Sequence, residues 1–180
     1  MRRTSHALAA EGRVWAIDPV EGEGVDDRIR TLGEPAGVIQ LLDRHQRACE
    51  AFAGRLGVPL HKVPASLPLT PFSFVPIRRN RFWAEVALWW PERRLLLCAD
   101  ALGTLPYFRA GSEPVGLHPL LRLRPPRALR GLRPEYLLVG HGDGLHGPAT
   151  ASAVEEALRT ARRRIPRWLL GVPRIVRAGY

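Results

Sequence analysis

Gly37-Val38-Ile39-Gln40-Leu41-Leu42-Asp43-Arg44-His45-Gln46-Arg47-Ala48 runs from an apolar stretch straight into a polar turn. The apolar part reads as a buried strand. Beyond the turn, Ala48, Phe52 and Leu56 recur at helical spacing until Gly57-Val58-Pro59 stops the helix. A strand that ends in Asp-x-His and turns at once into a helix sets both side chains at the carboxyl edge of its sheet. Open α/β sheets keep their ligand sites at that edge.

Working outward, residues 6–10 and 13–19 flank Glu11-Gly12 and read as a hairpin. Residues 25–32 form a short helix with Asp26 and Asp27 in its first turn, where carboxylates suit the helix dipole. A short strand is expected over 60–63, a proline-rich loop over 64–71, and a strand over 72–77 in which Pro76 signals a sheet edge. Residues 85–90 and 95–100 form a second hairpin whose apolar second strand stops at Asp100. One or two short helices over 117–132, broken at Pro125-Pro126, follow, then a buried strand over 136–139 that opens into Gly140-His141-Gly142. Residues 150–164 read as an amphipathic helix with Ala151, Val154, Leu158 and Ala161 on its apolar face. A single domain over 1–165 and a basic tail over 166–180 are expected.

Three apolar strands thus each end in a potential ligand: Asp43 with His45, Asp100, and His141. Imidazole and carboxylate groups at one sheet edge suit zinc, iron or manganese. Glycines on both sides of His141 let the backbone carry an imidazole into a crowded pocket.

At 180 residues and 46% apolar content the chain can bury a full core. It lacks the roughly 18 consecutive apolar residues of a membrane span, and its basic N-terminus lacks an apolar signal core, so a cytoplasmic protein is expected. Cys49 and Cys98 fit no metal or redox spacing and are expected as buried thiols. The net charge is +10, and residues 119–180 supply most of it, with 12 arginines against four acidic groups. Lys62 is the only lysine.

The order of these elements resembles the metallo-β-lactamase fold over residues 6–158: a hairpin, Ile17-Asp18-Pro19, the strand–Asp-x-His–helix unit, a hairpin ending Cys98-Ala99-Asp100, then Leu138-Val139-Gly140-His141-Gly142. The resemblance implies a four-layer αββα sandwich of the α/β class, somewhat truncated at its N-terminus, and metal-dependent hydrolysis. The family's first motif, His-x-His-x-Asp-His, here reads Asp43-Arg44-His45-Gln46-Arg47-Ala48, so Arg47 and Ala48 replace ligands. Arg81 falls where a further histidine is expected. Asp100 corresponds to the bridging aspartate and His141 to the late histidine. A two-metal hydrolase is therefore not expected.

Arginine cannot ligate a metal, because it only donates hydrogen bonds, but Arg47 or Arg81 can neutralise Asp43 and Asp100 in its place. The leading expectation is a largely lost two-metal site, without a cofactor. It is non-catalytic or binds a small anionic ligand in a cleft walled by Arg47, Arg78, Arg79 and Arg81, with His118 near it. The alternative is a hydrolase of an ester, thioester or lactone that uses one zinc, iron or manganese ion on Asp43, His45, Asp100 and His141, with His118 or Asp143 as the base. A third reading is nucleic-acid binding through Arg159, Arg162, Arg163, Arg164 and Arg167, with Trp168 to stack. Trp89 or Trp168-Leu169-Leu170 would support a homodimer.

Overall fold

The structure is a computed structural model that describes residues 3–45 and 48–177. Arg47, expected in the cleft wall, lies outside the described residues.

The N-terminal third builds a four-stranded sheet in the order β1-β2-β3-β4, from β1 (His6–Ala10), β2 (Arg13–Ile17), β3 (Glu34–Gln40) and β4 (Leu60–Lys62). Glu11 and Gly12, both at positive φ, close the hairpin between β1 and β2. The crossovers α1 (Val25–Leu32) and α2 (Cys49–Leu56) let β2, β3 and β4 run parallel. Strand alternation then sorts the side chains. Val14, Ala16 and Val38 face outward and meet Ile29 of α1 and Cys49, Phe52 and Ala53 of α2. Trp15, Ile17 and Ile39, each one residue further on, face the main core.

Across that core lies a second sheet, ordered β11-β10-β7-β6-β5. Its strands are β5 (Ser73–Asn80), β6 (Trp83–Trp90), β7 (Leu95–Cys98), β10 (Tyr136–Val139) and β11 (Leu145–His146). Pro76 sits on the edge strand β5, and the pairing with β6 shifts register between Pro76 and Arg78. A two-stranded piece, β8 (Leu102–Gly103) with β9 (Gly116–Leu117), follows β7. Helix α3 (Ala149–Thr160) packs against β9 and β11 and contributes Val154, Ala157 and Leu158 to the main core. The result is an α/β sandwich of two sheets sharing one core, with α1 and α2 on the outer face of the first sheet.

Two segments differ from the sequence reading. The helices expected across residues 117–132 are only 3-10 turns, at Pro119–Leu121 and Arg127–Leu129, because the prolines deny a longer hydrogen-bond ladder. The expected tail is a helix, α4 (Ile165–Arg177). It is held in place by Trp168, whose Nε1 donates to the Tyr107 carbonyl at 2.7 Å. Among the described residues, no helix is long and apolar enough to cross a membrane.

A buried ion cluster ties the C-terminal part together. Arg122, only 1% exposed, donates to the Phe108 carbonyl at 2.5 Å and to Glu113 Oε1 at 2.9 Å. The other Glu113 oxygen pairs with Arg164 from the start of α4. Burying one guanidinium costs several kcal/mol unless it is fully paired, at roughly the scale of effective ion desolvation. Glu113 and the Phe108 carbonyl offset part of that cost.

Candidate metal centre

The loop carrying His45 is fastened to the second sheet. Val86 N donates to the Leu41 carbonyl at 3.0 Å, Leu42 forms a bridge to Glu85, and Asp43 N donates to the Ala84 carbonyl at 2.9 Å. A turn then closes from His45 N to the Leu42 carbonyl at 2.9 Å. That turn separates Asp43 from His45. The Asp43 carboxylate accepts the Ala84 amide at 3.0 Å, so Asp43 is tied to the start of β6 and lies outside the ligand group.

His45, Asp100 and His141 come together. His45 Nε2 and His141 Nε2 lie 3.1 and 3.2 Å from the same oxygen, Asp100 Oδ1, and one donor atom from each residue lies within 4.8 Å of the others. That oxygen is buried, and both ring nitrogens point to it. Three donors, one from a loop and two from strand ends, converge on one point and fit a single cation. Two nitrogens and one carboxylate oxygen suit zinc, iron or manganese.

Each ligand is held from behind. Asp18, at positive φ just past β2, lies 2% exposed. Its Oδ1 accepts the Leu41 amide at 3.1 Å, and its Oδ2 lies 3.3 Å from His45 Nδ1. This contact fixes which His45 nitrogen faces the cleft. Glu85 Oε1 accepts the amides of Asp100 and Ala101 at 2.9 and 2.8 Å, and Oε2 accepts Trp83 Nε1 at 2.9 Å. Burial pushes the Glu85 carboxyl up to about 7. The His141 loop is held by Thr4, whose amide donates to the Gly140 carbonyl and whose hydroxyl donates to the Gly142 carbonyl, both at 2.9 Å. A Cβ on Gly140 would stand 2.5 Å from the Ala99 carbonyl oxygen, so only glycine lets this strand end approach β7.

The charges are mutually arranged. Burial opposes a charged His45, but Asp100 and Asp18 on its two nitrogens hold its pKa above the ordinary value. Burial likewise opposes the Asp100 carboxylate, and His141 and His45 hold it well below the usual range.

Above the ligands is a cleft of about 340 Å³ lined by Arg3, Arg44, Tyr107, Phe108 and His118. The Arg44 guanidinium lies 4.5 Å from the centre of the Trp83 ring. His118 Nδ1 accepts the Leu120 amide at 3.3 Å, so its proton sits on Nε2, 3.4 Å from the Tyr107 hydroxyl. Burial drives the His118 pKa down to about 4. His118 is therefore a neutral donor facing the cleft, which argues against the base role expected for it.

The other expected residues are elsewhere. Arg81 is exposed on the turn between β5 and β6, 4.2 Å over the Phe82 ring, and bridges neither Asp43 nor Asp100. Arg78 and Arg79 lie on the edge strand, outside the cleft lining. The turn lies at the same sheet edge as Asp100, but Arg81 stacks on Phe82 there, and none of the three arginines lines the cleft. Asp143 is exposed and also outside the lining. Of the C-terminal arginines, Arg164 is paired with Glu113 and Glu156, and Trp168 is engaged with Tyr107. The sequence reading missed Asp18, Glu85, Arg3, Arg44 and Tyr107. A lone carboxylate opening the otherwise apolar 85–90 stretch was the available signal for Glu85.

No protein-family model and no curated protein matches the chain. Solved structures do. A DIM-1 metallo-β-lactamase exposed to ceftazidime matches at TM-score 0.56 and 14% identity, over 88% of this chain and 85% of that one. A metallo-β-lactamase from Erythrobacter litoralis matches at 0.53 and 8%, over 87% and 80%. Rubredoxin oxygen:oxidoreductase from Desulfovibrio gigas matches at 0.53 and 14%, over 89% of this chain and 53% of that one. The chain therefore has the metallo-β-lactamase fold. At such identities the chemistry must be read from this chain's own residues.

Proposed function

We propose that this protein is a hydrolase working with one metal ion, held by His45 Nε2, Asp100 Oδ1 and His141 Nε2, and acting on a small ester, thioester or lactone that carries an anionic group. The observation behind this reading is the convergence of two imidazole nitrogens on one buried carboxylate oxygen, all within 4.8 Å of one another. When bound, such an ion supplies Lewis-acid polarisation of a carbonyl and a water of lowered pKa. Arg3 and Arg44 attract and orient the anionic end of the substrate. The His118 Nε2 proton and the Tyr107 hydroxyl are placed to donate to a developing oxyanion. Asp18 and Glu85 keep His45 and the Asp100 turn in position. Without Asp43 the protein offers three ligands, which leaves room for substrate.

The test is elemental analysis of the full chain after loading with zinc, manganese or iron(II) and dialysis. One equivalent should remain, be lost in His45→Ala and Asp100→Ala, and coincide with turnover on a panel of anionic esters, thioesters and lactones. Protein that retains no metal sinks the reading. In that case a second reading, a non-catalytic anion-binding cleft, would stand on Arg3 and Arg44 alone, and binding of a dicarboxylate without turnover would support it.

A further inference from the structure

On another part of the molecule, a second cleft of about 620 Å³ opens between α3 and the segment around the 3-10 turn at Arg127–Leu129. It is lined by Arg124, Pro125, Arg127, Arg130, Leu158, Arg159 and Arg162, and shares no residue with the lining of the metal cleft. Five of its seven lining residues are arginines and none is acidic. We infer that this cleft is a binding site for an oligophosphate, a ligand presenting two or three linked or neighbouring phosphate groups.

The charge balance supports this. Arg159 is paired with Glu156, but among the described residues no carboxylate pairs with Arg124, Arg127 or Arg130. Guanidiniums gathered without counter-ions repel one another, and a compact polyanion relieves that repulsion. The guanidinium fork matches phosphate oxygens in paired hydrogen bonds.

The walls are built rather than loose. Arg162 Nε donates to the Leu123 carbonyl at 2.6 Å, which ties α3's C-terminal end to the opposite wall. Arg124 N and Arg130 N close turns on the Leu121 and Arg127 carbonyls, both at 3.1 Å. Pro125 and Pro126 fix the backbone between them. Leu158, 1% exposed, forms the floor.

Shape separates a small ligand from a nucleic acid. The arginines come from two separate segments that line a cavity of small-molecule size, rather than from one helix face. No aromatic ring lines the cleft, so it lacks the stacking platform that single-stranded nucleic acids use. It would read phosphates and ignore bases.

Calorimetric titration of the full chain with sodium tripolyphosphate tests this, with EDTA present so that no metal ion mediates binding. One equivalent should bind at least about tenfold more tightly than orthophosphate, and the affinity should fall as salt is raised. Arg127→Gln with Arg130→Gln should weaken binding at least about tenfold, whereas Arg78→Gln with Arg79→Gln on the edge strand should not. ATP and vesicles carrying phosphatidylinositol bisphosphate, run in parallel, separate a free oligophosphate from a lipid headgroup; dependence of either on Arg127 and Arg130 supports the site. Three results overturn it: no binding, binding equally weakened by the two double variants, or duplex DNA bound through the same residues more tightly than tripolyphosphate.

Discussion

Glu85 holds Asp100 by its backbone: Oε1 accepts the Asp100 amide at 2.9 Å and the next amide, of Ala101, at 2.8 Å. The metal candidate's central carboxylate is thus aimed by a second carboxylate on the neighbouring strand. Glu85 accepts three hydrogen bonds and donates none, so Glu85→Gln must turn its amide group toward another donor. Apparent metal affinity should drop about tenfold or more, as when a ligand's supporting partner is removed. Competitive titration with a chromophoric chelator would measure it, and unchanged affinity would show that the Asp100 turn holds itself.

Asp18→Asn preserves an acceptor for the Leu41 amide but turns an amide group toward His45 Nδ1. The ring's preferred tautomer then shifts, and metal affinity should fall about 10- to 100-fold while the circular dichroism spectrum is retained. Parallel losses of secondary structure and metal would instead make Asp18 a folding residue.

Gly142 has φ +101°, and an added Cβ would stand 2.2 Å from the Thr104 hydroxyl. Gly142→Ala should cost about 1–3 kcal/mol through backbone strain, and it should also displace His141. Thermal melting and metal content should both decline. Thr104→Ala in the same chain removes the collision but not the strain, so it should restore only part of the loss.

Glu113 answers the fully buried Arg122 and also Arg164. Glu113→Ala should destabilise the protein by about 3–5 kcal/mol, because a guanidinium is left in the interior without its partner. Urea denaturation would check this. Replacing Glu113 and Arg122 together with leucine and methionine should recover most of the loss.

The ends of β7 and β10 were legible because each apolar strand stops abruptly at one polar residue, Asp100 or His141, and sheet topology brings such ends to a common edge. His45 was legible for the same reason. Asp43 was misplaced because residues two apart share a face only in an extended strand, and here a turn from Leu42 to His45 breaks that parity. Arg81 was assigned by correspondence in sequence, yet at the exposed hairpin tip its guanidinium stacks on Phe82 instead of turning to the ligands. Asp18, Glu85 and His118 act through backbone amides and ring tautomers, which depend on tertiary contacts among segments far apart in the chain. The helix in place of the tail rests on contacts of that kind, through Trp168 and Arg164.

His45 is delivered by a loop leaving the first sheet, while Asp100 and His141 stand at strand ends of the second. A cation bound there would act as a clasp across the seam between the sheets. Binding of the cation and integrity of the fold would then be thermodynamically linked, since separated sheets offer no complete ligand set. An ion at 100 times its dissociation constant would raise the unfolding free energy by about 2.7 kcal/mol.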